Sequence, residues 1–211
     1  MEYISIIIII LFLFYILKIY DLLSCVKFQF STSFNNVSYK SIPTTKKQIS
    51  TIKDYLKKYK TTEYIFIDFG SGIGSTLISF QNKFKMLIGV EIEENSYKKS
   101  LEKTKHFNNI NVINEDIQNF VFPNDKIIFY LYEPLFLMNK TESIKIYNVV
   151  FENLVKTYEK NKKDVLVIYL TGYSRKDLDT NFFKSYRLRV DKKGINGFYP
   201  YRYIYFLKFD K

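Results

Sequence analysis

The chain has 211 residues, of which 47% are hydrophobic and 18% aromatic, so one domain with a substantial hydrophobic core can form. Its formal net charge of +11 comes mostly from lysine, and lysines spread along a chain are usually solvated. The charge by itself is therefore weak evidence for nucleic acid or anionic lipid as a partner. The one cysteine, Cys25, excludes an internal disulfide, and the one histidine, His106, excludes a histidine-based metal site. We expect no metal and a monomer.

Residues 1–23 form an apolar segment. Residues 3–17 carry no charge, and after Glu2 the only charges in the segment are Lys18 and Asp21. A helix that spans a bilayer needs about 20 residues, and the segment reaches that length when the lysine side chain extends to the interface. We predict an uncleaved, single-pass membrane anchor; the alternative is a helix buried against the domain.

Charge sets the expected orientation of this anchor. One acid precedes the apolar run, whereas five lysines follow it by residue 47, so the positive-inside tendency places the rest of the chain on the cytosolic side. Residues 24–42 are polar and predict a linker. A helix follows, with Thr44 as its expected N-cap and apolar residues at helical spacing: Ile49, Ile52, Leu56 and Tyr59.

Residues 64–69 are followed by a glycine-rich turn, and this stretch organises the domain. The apolar run predicts a strand buried on both faces, after which Gly70, Gly72 and Gly74 allow a ligand to approach the main chain. A helix then begins near the turn, so a nucleotide-like ligand is expected there. The dinucleotide fingerprint would require a glycine at Ser75, which disfavours an NAD-binding oxidoreductase.

Three further runs predict strands, and each ends in or just before an acid. The second strand ends at Glu91, which can accept both hydroxyls of a ribose. The third strand is followed by Asp116, and the fourth by Glu133. The three runs are residues 86–91, 110–114 and 126–132.

The pattern Asp68-x-Gly70-x-Gly72-x-Gly74 resembles motif I of the class I S-adenosylmethionine (SAM)-dependent methyltransferases. The resemblance implies SAM as the cofactor, with Asp68 at its methionine end, directly or through water. It also implies that Asp116 accepts a hydrogen bond from the adenine amino group and that Ile117 packs on the ring. The residues that it assigns to the cofactor are Asp68, Gly70, Ser71, Gly72, Gly74, Glu91, Ile92, Asp116, Ile117 and Thr45.

The segment before the first strand resembles the entry region of membrane-anchored protein-lysine methyltransferases of the mitochondrial ATP-synthase c-subunit type. In that family a Pro-x-Thr opening touches the cofactor, and Pro43 with Thr45 (or Thr44) matches it. An ordinary helix cap is the alternative interpretation. The resemblance implies a protein lysine as a possible methyl acceptor.

The rest of the chain completes an α/β pattern. A helix is expected at residues 93–106, with Tyr97 and Leu101 on successive turns and a charged outer face, and a long core-facing helix from Lys140 to Lys160. A fifth strand is predicted at 164–171. An antiparallel hairpin is predicted at 182–190 and 199–209, with its connecting loop at 191–197. The expected fold is a Rossmann-like, seven-stranded, mostly parallel sheet with a C-terminal antiparallel hairpin, in a domain spanning residues 43–211.

Tyr132, Glu133 and Pro134 stand at the end of the fourth strand, where the family places a short proline-containing motif beside the methyl group. Glu133 is the candidate acceptor of a proton from an amine, and Tyr132 is a candidate pocket wall. The sequence Glu133-Pro134-Leu135 lacks the second proline of the amine-modifying nucleic-acid enzymes. The resemblance of the entry region implies protein-lysine N-methylation, and three alternatives stay open: a small-molecule or lipid acceptor, a nucleic-acid acceptor, and a non-catalytic SAM-binding scaffold.

Overall fold

The computed structural model describes residues 44–133, 135, 138–171, 178, 180–196 and 202–210, with the backbone alone at 195, 196 and 202. The predicted membrane anchor, the linker, Pro43 and Pro134 lie outside these residues. Within the described ranges, no helix combines the length and apolar character needed to cross a bilayer.

Five α-helices and seven strands make up the described part of the chain. The helices are α1 (Lys46–Leu56), α2 (Ser75–Phe80), α3 (Glu94–Thr104), α4 (Lys140–Asn161) and α5 (Thr180–Ser185). The strands are β1 (Tyr64–Phe69), β2 (Met86–Glu91), β3 (Ile110–Asn114), β4 (Lys126–Tyr132), β5 (Val165–Leu170), β6 (Leu188–Asn196) and β7 (Arg202–Phe209).

The seven strands form a single sheet in the order β3-β2-β1-β4-β5-β7-β6. The first five strands along the chain pair in parallel, and β7 pairs antiparallel with both β5 and β6. The expected seven-stranded plan with a closing antiparallel hairpin is confirmed. Because parallel strands run in one direction, the carboxyl ends of β1 to β4 lie at the same edge.

Helices cover both faces of the sheet. Every residue of β1 is buried, as is every residue of β5, because each of these strands has a neighbour on either side and a hydrophobic cluster above and below. One cluster packs α1 and α2 on the sheet, and the other packs α4 and α5. The apolar runs that the sequence shows at β1, β2, β4 and β5 are therefore interior strands.

The C-terminal hairpin differs from its predicted boundaries. Residues 180–185 are helical, and β6 begins only at Leu188 and extends through the predicted loop to Asn196. The helix places Phe182 and Phe183 on the ring of Phe151 in α4, at 5.3 and 6.1 Å between ring centroids. Contact with α4 therefore overrides the strand propensity of these aromatic residues.

Helix α3 buries small polar residues in place of the expected larger ones. Ser100 and Thr104 are buried, whereas Leu101 is 40% exposed. The reason is the glycine turn: a Cβ on Gly74 would lie 2.5 Å from Oγ of Ser100 and 3.3 Å from Cγ2 of Thr104. The turn approaches the helix so closely that small side chains fit between them.

Candidate active site

Four acids lie at the carboxyl ends of four neighbouring strands. Across the sheet they follow the order Asp116 after β3, Glu91 at the end of β2, Asp68 near the end of β1, and Glu133 after β4. They are 65 residues apart in the sequence at most. The parallel topology brings them to one edge, which is where open α/β sheets bind ligands.

The glycine-rich turn has the backbone that its sequence requires. Gly70, Gly72 and Gly74 all have positive φ angles, of 72°, 54° and 76°, which side-chain-bearing residues rarely adopt. The amides of the turn bond within the protein. Those of Gly70 and Ser71 donate to the carbonyl of Val90, and that of Gly74 donates to the carbonyl of Ser71. These three N–H groups are not directed at an anionic ligand, which is what a pyrophosphate would need.

Glu91 binds the turn through its side chain. Its Oε2 accepts a hydrogen bond from the N–H of Gly72 at 2.8 Å, and its Oε1 accepts one from the N–H of Glu93 at 2.8 Å. Each carboxylate oxygen has two acceptor sites, so both can also accept a bond from a hydroxyl. The carboxylate is buried and fixed in place before any ligand arrives.

The carboxylate of Asp68 lies in an unusual environment at this edge. It is 3% exposed, and none of the described residues donates a hydrogen bond to its carboxylate. Burial, and after it the neighbouring charge of Glu91, raise the pKa of Asp68 well above its usual range. A buried carboxylate without a donor is costly for a fold, and a cationic ligand would remove that cost.

Ser71 points away from the mouth of the site. Its hydroxyl is buried, and a Cβ on Gly89 of β2 would lie 2.7 Å from its Oγ. The side chain therefore packs on the sheet, so any contact of Ser71 with a ligand would come from its main chain. The glycine at position 89 is required by this close approach.

Three hydroxyl groups join the start of the described chain to the site. Oγ1 of Thr44 lies 2.6 Å from Oη of Tyr130 and 3.0 Å from Oγ1 of Thr76. Tyr130 pairs with Asp68 in the β1–β4 register, and its ring is 1% exposed. Burial, and after it the charge of Asp68, raise the pKa of Tyr130 well above its usual range, so the phenol keeps its proton.

Helix α1 is capped by Thr45, one residue later than expected. The Thr45 hydroxyl accepts from the N–H of Gln48, and the Gln48 side chain accepts from the N–H of Thr45 at 2.7 Å, which completes a capping box. Nε2 of Gln48 also donates to Oη of Tyr132 at 3.4 Å. The Thr45 hydroxyl thus serves the helix, and Thr44 is the residue of the pair that reaches the buried site.

Glu133 follows β4 with a φ of 40°, in the left-handed region. Its side chain is buried, and Tyr132 beside it is half-buried. A non-glycine residue in this conformation carries backbone strain of about 1–3 kcal/mol, which tends to persist at functional sites. Both candidate catalytic residues therefore lie at the same edge as Asp68 and Glu91.

The remaining predicted cofactor residues lie beside β2 and β3. Asp116 is half-buried and accepts two bonds from Gln118, from the main-chain N–H at 2.9 Å and from Nε2 at 3.1 Å. Ile92 is 59% exposed, whereas Ile117 is buried in the cluster that contains Phe120. An exposed isoleucine directly after Glu91 leaves an apolar surface on which a flat ring can pack.

Tyr130, Thr76 and Gln48 were not identified from the sequence. Tyr130 stands in an apolar strand and Thr76 in a short helix, so neither pattern separates them from core residues. The capping box Thr45-x-x-Gln48 is visible in the sequence, since a threonine followed three residues later by glutamine is a recognised helix start.

Within the described residues, no group of three His, Cys, Asp or Glu side chains could hold a metal ion.

The donor set fits SAM better than a dinucleotide. A buried carboxylate, Asp68, is available to a cation, and a second, Glu91, is fixed where it can accept hydroxyl groups. The amides of Gly70, Ser71, Gly72 and Gly74 bond internally and do not form an anion-binding nest. The site therefore complements a ligand with an ammonium group and a ribose.

No family model matches the sequence, and no curated protein matches it by sequence. Solved structures do match the fold. Magnesium protoporphyrin IX methyltransferase from Synechocystis PCC 6803 with bound SAM has a TM-score of 0.60 at 13% identity, over 82% of this chain and 88% of that one. N-methyltransferase NodS from Bradyrhizobium japonicum WM9 has a TM-score of 0.59 at 12% identity, over 76% and 94%.

The 23S rRNA methyltransferase ErmE has a TM-score of 0.57 at 14% identity, over 81% of this chain and 70% of that one. These similarities extend over most of each solved chain. The chain has the Rossmann-like fold of the class I SAM-dependent methyltransferases.

Proposed function

We propose that the protein is a SAM-dependent methyltransferase that methylates the side-chain amine of a protein lysine, with its catalytic domain tethered to a membrane on the cytosolic side. The observation that carries the proposal is Asp68, whose buried carboxylate has no hydrogen-bond donor among the described residues. The fold, shared with solved structures of SAM-dependent methyltransferases, supports the same cofactor.

SAM supplies an electrophilic methyl group on a sulfonium, which is a good leaving group. The residues proposed to hold it are Asp68 for the ammonium, Glu91 for the ribose hydroxyls and Asp116 for the adenine amine. Ile92 offers an exposed apolar surface to the adenine ring. The main-chain N–H groups of Gly72 and Glu93 already hold the Glu91 side chain, so this side chain loses little conformational entropy when the ligand binds.

Glu133 is proposed to act on the acceptor. A lysine amine has a reference pKa of about 10.4, so it must lose a proton before its lone pair can attack a methyl carbon. The buried Glu133 carboxylate would take that proton, and burial around it would exclude water from the amine. Tyr132, held by Gln48, would form one wall of the acceptor pocket.

The choice of lysine and of a membrane rests on the sequence. The apolar segment at residues 1–23 and the Pro43-x-Thr45 opening support it. The fold alone does not choose an acceptor, because its solved neighbours are named for a porphyrin, an N-methyl transfer and an rRNA. Small molecules, lipids and nucleic acids therefore stay as alternative acceptors, and a non-catalytic SAM-binding scaffold stays as the alternative to an enzyme.

The experiment has two arms. The full chain in a non-ionic detergent is titrated with SAM by calorimetry, and it is then incubated with radiolabelled SAM and isolated membranes, with and without protease. Binding followed by label in protease-sensitive material that releases methyl-lysine on hydrolysis is the expected result. Label in protease-resistant material would overturn the lysine proposal, and binding without any label transfer would favour a scaffold.

A matched pair of variants tests Glu133. Glu133→Gln removes the proton acceptor, and we expect turnover to fall by about 10²-fold or more while the Kd for SAM changes little. Glu102→Gln is the control, because this residue lies exposed on α3. If Glu133→Gln instead weakens SAM binding and leaves turnover of the bound complex unchanged, Glu133 is a cofactor ligand.

A further inference from the structure

We infer that the outer face of α1, with the groove between α1 and α2, binds the phosphate backbone of a nucleic acid. The inference goes beyond the proposed function, because it concerns a surface beside the site and holds whatever the methyl acceptor is. It rests on the distribution of charge, on the side chains that line the groove and on the contact of Thr44 with the site.

The segment from Thr44 to Lys60, which contains α1, is more positive than the chain around the other long helices. Its 17 residues have six lysines and one acid, whereas the 17 residues 93–109 around α3 have four lysines and three acids. The 22 residues of α4 also have four lysines and three acids. A general excess of lysine in the sequence would raise the net charge of all three segments alike, so the segment around α1 carries a positive surface of its own.

Three of these lysines have no carboxylate partner among the described residues. Lys46, Lys47 and Lys53 take part in no ion pair there, whereas three others on the segment bind carboxylates at 2.7 to 2.9 Å. Those three pairs are Lys57–Asp54, Lys58–Asp191 and Lys60–Glu63. The three lysines without such a partner are the three that lie on α1 itself.

Lys46 and Lys53 lie on one stripe of α1. They are seven residues apart, which returns both to the same side of the helix, and they span about 10 Å along its axis. Two cations at this spacing can contact two phosphates of one strand. A rigid helix also presents them with little further loss of backbone entropy.

An open surface groove of about 410 Å³ lies beside this stripe, between α1 and α2. The described residues that line it comprise two lysines, three hydroxyl side chains and one apolar side chain, with no carboxylate among them: Thr44, Lys46, Ile49, Ser50, Lys53 and Ser79. Lysine and hydroxyl side chains are the usual protein contacts to phosphate oxygens. These lining residues include no aromatic ring, so we expect contact with the backbone and no base stacking.

The groove adjoins the candidate active site. Thr44, which lines the groove, is bonded to Tyr130, whose neighbour in the sheet is Asp68. A linear polyanion bound along Lys46 and Lys53 would therefore pass beside the site.

The test uses the full chain in a non-ionic detergent and a fluorescent single-stranded RNA of about 20 nucleotides, long enough to cover the stripe. Fluorescence anisotropy is measured without SAM over a range of salt concentrations. Removal of two phosphate contacts by Lys46→Gln with Lys53→Gln should reduce the slope of log K against log salt by about 1.4, at about 0.7 per contact.

The control is Lys99→Gln with Lys103→Gln, an equal loss of charge on the exposed side of α3, which should leave the slope unchanged. Thermal unfolding of both double variants checks that the domain is intact. Absence of RNA binding, or an equal effect of both double variants, would overturn the inference. The inference would also be overturned if a polyglutamate of the same charge displaced the labelled RNA as well as unlabelled RNA does. The same holds if Lys46→Gln with Lys53→Gln weakened binding to phosphatidylserine vesicles and left binding to RNA unchanged. SAM titration of the same samples keeps a failure here separate from a failure of the proposed function.

Discussion

The carboxylate of Glu91 accepts a hydrogen bond from the main-chain N–H of Gly72, with 2.8 Å between Oε2 and the nitrogen, although 19 residues separate them along the chain. The bond joins the end of β2 to the glycine turn after β1. The bond fixes the turn against the carboxylate of Glu91, and the neighbouring Asp68 is buried as well. Substitutions in this region should change both the stability of the domain and its affinity for SAM.

Asp68→Asn should abolish SAM binding and yet stabilise the free domain at neutral pH. The folded-state pKa of Asp68 is raised, so the folded state loses stability as pH rises from the unfolded-state value, about 3.9, to the raised one. Asparagine has nearly the same shape and no charge, so the variant should not lose stability over this pH range. The free energy of unfolding is measured with denaturant at pH 5 and pH 8. A variant less stable at pH 8 than the wild type would contradict the assignment.

SAM affinity should increase with pH until the raised pKa of Asp68 is passed. Below that pKa the free protein holds a proton on Asp68, and an ammonium ligand requires its release. Calorimetry in two buffers with different ionisation enthalpies measures the proton released on binding. Glu91→Gln removes the neighbouring charge and should move this pH dependence to lower pH; an unchanged profile would show that Asp68 is not the titrating group.

Gly74→Ala should destabilise the domain by about 2 kcal/mol or more. Its φ of 76° costs a residue with a Cβ about 1–2 kcal/mol, and the new Cβ would lie 2.5 Å from Oγ of Ser100. Ser100→Ala removes the clashing atom, so the double variant should recover the steric part and keep the backbone part. Denaturant unfolding of the four proteins separates the two, and strictly additive losses would show that the turn does not contact α3 there.

Thr44→Val and Tyr130→Phe should show coupled effects on stability. Each removes one side of the hydrogen bond at 2.6 Å that fixes the start of α1 to β4. A double-mutant cycle should give a coupling free energy of about 1 kcal/mol, in the range of a single hydrogen bond. Thr45→Val is the comparison, because it removes the helix cap without touching Tyr130; coupling of that variant to Tyr130→Phe would refute the assignment of Thr44.

The sequence by itself determined the parallel part of the sheet and the positions of the glycine turn and the four acids. Strands β1, β2, β4 and β5 are apolar runs because both their faces are buried, and positions 70, 72 and 74 are glycines because the turn needs positive φ angles. Since parallel strands end at one edge, the acids that follow them could be placed together without coordinates.

Only the tertiary structure decided the rest. Residues 180–185 are helical because Phe182 and Phe183 pack on Phe151, a contact with a partner about 30 residues away that local propensity does not contain. An apolar strand gives no sign that the Tyr130 hydroxyl bonds to Thr44, and the lack of a donor to Asp68 among the described residues depends on how distant segments pack. Periodicity and residue type are local and survive in the sequence, whereas burial and hydrogen-bond partners arise only when distant segments meet.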